Sequence, residues 1–241
     1  MPKRSVHYQV QLSKAGDLNT RHSIPEAVKL IKEMGEVRPT KAYKGARERK
    51  GFDQTIELVM SLGIDPKQAD QMVRGSISLP KGIGKTKIVI VFCPDELIEE
   101  SKTNGAVEAG NEDLIKKISD GWLDFDVAIA HPSQMGKVGK LGRVLGPQGK
   151  MPSPKSGTVT PDVVQAVKDY SAGKLEFRND AGGNIHAIVG KMSFSHEDLQ
   201  ANIEAFIGHI RKLKPVTAKG QYIKRVCLSG TMTPSVALDV G

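Results

Sequence analysis

The sequence predicts two domains of mixed α and β structure, one inserted into the other. At 241 residues the chain is long enough to bury two ordinary cores. Segments near both ends alternate apolar and polar residues, as in antiparallel strands with one solvent-exposed face. The middle of the chain instead carries short, fully apolar segments typical of buried strands between helices. We therefore expect a discontinuous α+β domain of the split β-α-β type, built from both termini, with an inserted three-layer α/β domain.

The first 81 residues are predicted to form an α-β-β unit. The stretch SIPEAVKLIKEM predicts a helix, because Ser23 can cap it, Glu26 completes a capping box and apolar residues recur on one face. A loop over residues 36–51 follows, and its net charge is +4. The alternation over residues 56–62 and the segment VRGSISL then predict two strands.

Residues 82–173 are predicted to form alternating strands and helices. KIVIVFC, GAVEAG and DVAIA are typical of buried strands, and PDELIEESK and NEDLIKKISDG of the helices between them. In TPDVVQAVKDYSAG we expect a last helix, with Thr160 as its cap, Pro161 at its first position and Gly173 at its end. This order favours a parallel sheet that is covered on both faces.

Antiparallel patterns return after Gly173. Two strands, KLEFRND and IHAIVGK, are predicted on either side of a turn at AGGN. The apolar residues of SHEDLQANIEAFIGHIRKL recur on one face, which predicts a helix, and GQYIKRVCLSGTM is predicted to form the last strand. Joined to the α-β-β start, these elements define one domain over 1–81 and 174–241, with 82–173 inserted.

The distribution of charge agrees with this division. The net charge is +8, with +6 in residues 1–81, −1 in residues 82–173 and +3 in residues 174–241. Both basic segments would fall in the same domain, which indicates an acidic partner such as a nucleic acid. An aromatic content of 5% argues against a reader of single strands that works by stacking bases.

Several classes of protein are excluded by composition and motifs. No apolar run is long enough to cross a bilayer, and the N-terminus lacks the apolar region of a secretory signal, so we expect the protein to stay where it is made. Cys93 and Cys227 are expected to be buried free thiols. The six histidines show no metal-ligand spacing with them, so neither a metal nor a cofactor is expected.

The run GKLGRVLGPQGKMPSPKSGTV (139–159) holds five glycines, three prolines, four cations and no acid. Neither it nor KGIGKT (81–86) has the glycine spacing and following helix of a nucleotide-binding loop, so nucleotide hydrolysis is rejected. Two alternatives stay open for the run: a structural role, with glycines at close backbone contacts, or an auxiliary contact with RNA phosphates.

Eight segments at consistent spacing resemble the large-subunit ribosomal protein L-one family, the bacterial-type stalk protein, over nearly the whole chain. They are LGIDPKQADQMVRG, LPKGIGK, DGWLDFDVAIA, GKLGRVLGPQGKMPSPKSGTV, EFRNDAGGNIHAIVGK, ANIEAFI, KPVTAKGQYIKRV and TMTPS. The resemblance implies a non-enzymatic, cytoplasmic and ribosome-associated protein that is a monomer when free. It implies binding to the ribosomal RNA of the mobile stalk near the exit site, help in releasing deacylated tRNA from that site, and repression of its own mRNA.

The resemblance also implies which residues contact RNA: Phe52, Glu57, Arg178, Asp180, His186, Thr231 and Met232. Their chemistry fits, since Arg178 can bind phosphate or a base edge, and carboxylates such as Asp180 can accept from ribose 2′-hydroxyls. Other interpretations exist for single residues: Phe52 alone would more often be core, and Asp180 could simply start a turn.

Three departures from the family pattern bear on this set. Thr233 stands where the family has glycine, Ala181 stands where a basic or polar residue is usual, and the loop over 36–51 is longer. For the loop, extra phosphate contacts beside Phe52 and a solvated segment are equal alternatives. A catalyst on the inserted domain is disfavoured, because no convergent catalytic motif is found. A free translational repressor is a third alternative. The sequence does not distinguish it from a ribosomal component, because both would use the same RNA-binding surface.

Overall fold

The structure is a computed structural model that describes residues 5–36, 52–68 and 70–240. The predicted basic loop therefore lies, beyond Glu36, outside the described residues. The chain divides into two compact units. The first lies within Met1–Val73, Leu79–Ile83 and Arg178–Gly241, and the second comprises Arg74–Ser78 and Gly84–Phe177.

The helices and strands are numbered in chain order. The helices are α1 (Val6–Ala15), α2 (Ile24–Gly35), α3 (Ile98–Thr103), α4 (Glu112–Ser119), α5 (Met135–Val138), α6 (Gly142–Leu145), α7 (Val163–Ser171) and α8 (His196–Lys212). The strands are β1 (Arg21–His22), β2 (Thr55–Leu62), β3 (Arg74–Ile77), β4 (Val89–Phe92), β5 (Glu108–Gly110), β6 (Val127–Ala130), β7 (Leu175–Arg178), β8 (Asn184–Lys191), β9 (Ile223–Gly230) and β10 (Val236–Leu238).

In its described residues, the first unit has a five-stranded sheet in the order β1-β10-β9-β2-β8. The β1–β10 pair is parallel, and the other described pairs are antiparallel. Alternate residues of β2 are buried, beginning with Ile56, and α2 and α8 pack on the buried side through apolar stripes. Ser23 and Glu26 form the predicted capping box at the start of α2. On the opposite side of this sheet, the described side chains of β2 are exposed or half-buried.

The second unit has three layers, as predicted. Its parallel sheet, in the order β5-β4-β6, is buried on both faces. One core contains Val91 with Val167 and Tyr170 of α7, and the other contains Phe92 with Leu114 of α4. Strands β3 and β7 pair in a separate two-stranded sheet. The mixed α/β fold class expected from the sequence is confirmed.

Some local predictions were wrong. Helix α7 begins two residues later than expected, because the Asp162 carboxylate accepts from the N–H of Gln165 and so takes the capping role assigned to Thr160. The glycine-rich run contains the short helix α6 and 3₁₀ turns at Gly139–Leu141 and Pro154–Ser156. Cys93 is buried, but Cys227 is only half-buried.

Within the described residues, no helix is long and apolar enough to cross a membrane. Nor does that part of the chain contain a group of three or more histidine, cysteine or acidic residues that could hold a metal ion.

Candidate nucleic-acid interface

The side of the five-stranded sheet that faces away from α2 and α8 carries Glu57, Val59 and Ser61, and we call it the open face. Strand pairing places partners from β8 and β9 beside each of them. The three rows across the strands are Ile188–Glu57–Ser229, His186–Val59–Cys227 and Asn184–Ser61–Arg225. All nine side chains are exposed or half-buried, so this face presents a mixed polar and apolar surface.

One end of this sheet, where β2 begins and β8 and β9 finish, carries three of the seven predicted residues. We call it the Met232 end. Phe52 and Met232 are its most exposed apolar side chains, at 60% and 55%. Thr231 lies beside them, in the turn that follows β9. Large apolar groups left in water near a turn are typical of binding surfaces, although a single one is unremarkable.

The turn at the Met232 end is held by side chains. The N–H of Thr55 donates to Thr231 Oγ1 over 3.1 Å, and that hydroxyl in turn donates to the Thr55 carbonyl over 3.3 Å. The N–H of Met232 donates to Gln54 Oε1 over 3.0 Å. The hydroxyl of Thr231 is therefore hydrogen-bonded to the backbone of β2, and the main contribution of Thr231 is to fix the position of Met232.

Asp180 lies at the opposite end of the sheet, in the turn before β8. Its Oδ1 accepts from the N–H groups of Gly182, over 2.8 Å, and Asn184, over 2.7 Å, while Oδ2 accepts from the Asn184 side chain over 3.1 Å. These bonds to Asn184 and Gly182 lower the pKa of the Asp180 carboxyl. The turn interpretation of Asp180 thus has a structural basis, and it leaves less of the carboxylate free for a ligand.

His186 and Arg178 flank that turn. His186 projects from the second row of the open face, and its Nε2 lies 3.7 Å from Asp180 Oδ2. Arg178 is the exposed last residue of β7, two positions before Asp180. The next residue, Asn179, is buried and accepts from the N–H of Val73 over 2.9 Å, which fixes the backbone beside Arg178.

The seven residues therefore form two groups and not a single cluster. Phe52, Thr231 and Met232 lie at one end of β2, with Glu57 near them on the open face. Arg178, Asp180 and His186 lie toward the other end. A strand of eight residues spans roughly 23 Å at about 3.3 Å per residue. A small molecule would contact only one group, whereas a folded RNA helix can reach both.

The sequence interpretation missed two residues that contribute to this candidate interface, Gln54 and Arg225. Gln54 was not singled out, yet its amide holds Met232, and nothing in the local sequence signals that bond. Arg225 lies in the third row of the open face. Its placement could have been predicted, because the buried Val226 and Leu228 alternate with it along β9.

The glycine-rich run lies in the second unit and is mainly structural. Leu141 and Leu145 are buried in the core against α4. Lys150 donates to the carbonyl of Leu123 over 2.9 Å. Gly149 and Gly157 have positive φ angles of 69° and 74°, which favour glycine.

The segment KGIGKT is not built as a phosphate loop. The fully buried side chain of Asn202 on α8 accepts from the N–H of Lys81 over 3.1 Å and donates to the carbonyl of Gly82 over 3.0 Å. These backbone groups are thus hydrogen-bonded to Asn202 and are not available to a phosphate. The segment also leads into strand β4 and not into a helix.

Comparison with known proteins identifies the family. Residues 41–234 match the Ribosomal protein L1p/L10e family. Relatives named large ribosomal subunit protein uL1 include one from Bifidobacterium adolescentis, 45% identical over 239 residues that cover 99% of this chain and 98% of the relative. Another, from Kosmotoga olearia, is 46% identical over 99% of this chain and 97% of its own length. One from Nocardioides sp. is 50% identical over 83% of this chain and 85% of its own. The chain thus belongs to the Ribosomal protein L1p/L10e family.

Proposed function

We propose that this protein is a structural constituent of the large ribosomal subunit and that it binds the ribosomal RNA of the mobile stalk through its first unit. The relatives that it matches over nearly their full lengths are named as large-subunit proteins. Membership of a ribosomal protein family confirms the prediction that the chain is not an enzyme. The protein would accordingly be found with ribosomes.

The observation that best supports RNA binding by this unit is the placement of the candidate residues. Exposed apolar, cationic and hydrogen-bonding side chains lie at the Met232 end, along the open face and around the turn between Arg178 and His186. The segments 1–81 and 174–241, which we assign to the RNA-binding domain, carry a summed charge of +9, whereas 82–173 carries −1. Positive charge supplies attraction to phosphates, and the fixed rows of side chains supply shape recognition.

The proposed ribosomal role is tested by sedimentation of the full-length protein with large subunits that lack their own copy. We expect one copy to co-sediment with each subunit and to stay bound at elevated salt, because shape contacts persist when phosphate attraction is screened. A protein that stays in the supernatant, or that washes off with moderate salt, would contradict the proposal.

Two finer roles are proposed with it: assistance in releasing deacylated tRNA from the exit site, and repression of its own mRNA. Both follow from the family resemblance, and repression would use the same open face as the ribosomal RNA. Addition of stalk RNA should therefore relieve repression of the mRNA in a cell-free translation assay. Repression that is indifferent to added stalk RNA would separate the two surfaces and overturn this part of the proposal.

A further inference from the structure

A concave pocket lies on the first unit beside β9, β10 and β1. Three cationic side chains line it, from two different strands, and none of the lining residues is acidic. The cations are Arg21, Lys224 and Arg225, and the other lining residues include the amide side chains of Asn19 and Gln221. None of the seven residues predicted to contact RNA belongs to this pocket.

A β-bulge brings two of the cations to the same place. Ser61 of β2 pairs with Arg225, but the next residue, Leu62, pairs with Ile223, so Lys224 is an extra residue on β9. In a regular strand, Lys224 and Arg225 would point to opposite faces, and one of them would enter the core. The bulge leaves both exposed and lining one pocket.

A glycine and an edge strand complete the pocket wall. A Cβ atom at residue 63 would lie 2.2 Å from the carbonyl oxygen of Gln221, so only glycine lets the 221–222 loop approach β2 this closely. Arg21 is brought to the pocket by the short strand β1, which pairs it with Ala237 of β10. The three cations are therefore held together by backbone pairing and not by chance proximity.

Among the described residues, these cations have no carboxylate partner. In the described part of the chain, none of the three forms an ion pair, although Lys81, Lys117 and other surface lysines do. Like charges gathered in a concavity repel one another, and an anion relieves that repulsion. Arginine adds a planar fork of donors that fits the oxygens of a phosphate.

We propose that this pocket binds a phosphate group, and that its occupant is a phosphodiester of the RNA backbone. The choice of RNA rests on the proposed function, because Arg225 also belongs to the third row of the open face. An RNA strand that crosses this face toward β10 would bring its backbone to Arg21 and Lys224. The pocket would then add affinity without reading sequence.

The test compares two full-length triple variants. Arg21→Gln/Lys224→Gln/Arg225→Gln empties the pocket of charge, and Lys29→Gln/Lys67→Gln/Lys212→Gln removes the same charge from exposed positions elsewhere. The affinity of each for the stalk ribosomal RNA is measured across a series of salt concentrations. Each lost phosphate contact lowers the slope of log K against log salt by about 0.7–0.9, so the pocket variant should lose that amount for its one phosphodiester and the control far less.

Equal loss in both variants, or no loss in either, would overturn the proposal. All six positions are exposed, and equal melting temperatures would show that both variants fold. An unrelated hairpin of the same length separates this inference from the proposed function. If the unmodified protein shows no preference for stalk RNA, the proposed function fails, while the difference in slope between the variants can still be measured on either RNA.

Inorganic phosphate provides the second arm, since a free anion has the same chemistry. Titrated into the full-length protein, it should shift the amide resonances of Gln221 and Lys224, and stalk RNA should displace it. Displacement would support the backbone of RNA as the occupant. Phosphate that binds here without competing with RNA would assign the pocket to a free anion and overturn RNA as its ligand.

Discussion

The hydroxyl of Thr233 accepts a hydrogen bond from the backbone N–H of Gly230 over 2.8 Å, and the N–H of Thr233 donates back to the Gly230 carbonyl over 3.2 Å. The family resemblance leads us to expect glycine at this position. Its side chain closes the turn that carries Thr231 and Met232. The departure from the pattern therefore has a structural consequence, because the turn gains a bond that glycine cannot make.

Thr233→Val should weaken this turn, because it keeps the shape of the side chain but leaves the buried N–H of Gly230 without an acceptor. An unsatisfied buried donor costs about 1–3 kcal/mol, so we expect a loss of stability in that range and faster hydrogen exchange at Gly230. Thr233→Ser keeps the acceptor and should restore protection. Equal exchange rates in the valine and serine variants would show that the hydroxyl is not what holds the turn.

Asn202→Leu should destabilise the first unit more than an ordinary surface change. The fully buried amide serves the N–H of Lys81 and the carbonyls of Gly82 and Val189, the last over 2.8 Å. Leaving such groups unpaired predicts a loss of at least about 2 kcal/mol in urea unfolding. Gln200→Ala on the same helix is the control, and a similar loss there would show that the buried hydrogen bonds of Asn202 are not the cause.

Glu176 makes the stability of the second unit depend on pH. Burial raises the pKa of its carboxyl above the usual value of 4.5, although Tyr170, which donates to it over 3.1 Å, opposes the shift. The folded state then holds this proton more tightly than the unfolded state, so the stabilisation present at low pH is lost as pH rises through the folded pKa. Glu176→Gln should therefore exceed the parent in stability near about pH 8, with the gain vanishing near about pH 4.

The control for this change is Glu96→Gln, because Glu96 is an exposed carboxylate of the same unit. Its unfolding free energy should follow the parent protein at both pH values. If the Glu176→Gln variant were less stable than the parent at high pH, attraction to Lys87 and Lys174 would outweigh the cost of burial, contrary to this account.

Arg178→Ala should reduce affinity for stalk RNA by about 1–3 kcal/mol, as expected for the loss of a charged hydrogen-bonded contact. Arg74→Ala provides a matched control, since Arg74 is exposed on β3, which pairs with the strand that carries Arg178. The affinities of both variants and the parent protein for stalk RNA are measured by filter binding at one salt concentration. Equal losses of affinity in the two variants would show that Arg178 acts only through its positive charge and not through a specific contact.

Periodicity and capping made much of the fold predictable. Helix α2 was readable from Ser23 and Glu26, and the buried strand β4 from its continuous apolar residues. Helix α1 was not predicted, because its residues show little amphipathic pattern and its buried contacts include Gln11, a polar side chain that donates to the Met34 carbonyl. Strands β1 and β10 have only two and three residues, too few for an alternation to be recognised.

The candidate interface was less predictable than the fold. Motif resemblance selected Thr231 and Asp180, and the sequence also offered a turn as the role of Asp180. It gave no sign that the Thr231 hydroxyl bonds to the backbone of Thr55 in β2. The bulge at Lys224 depends on the register between β9 and β2, which is set by pairing across more than 160 residues of chain. Long-range register of this kind leaves no local signal, so the basic pocket emerges only from the folded structure.

The most direct test of the central claim is an equilibrium titration of the full-length protein with the stalk hairpin of large-subunit ribosomal RNA. A length-matched unrelated hairpin is titrated in parallel, each at two salt concentrations. We predict a strong preference for the stalk that is retained when salt is raised, because shape and 2′-hydroxyl contacts are screened little. Equal and steeply salt-dependent binding to both hairpins would show that only the +9 charge of the terminal segments acts, and would contradict the account.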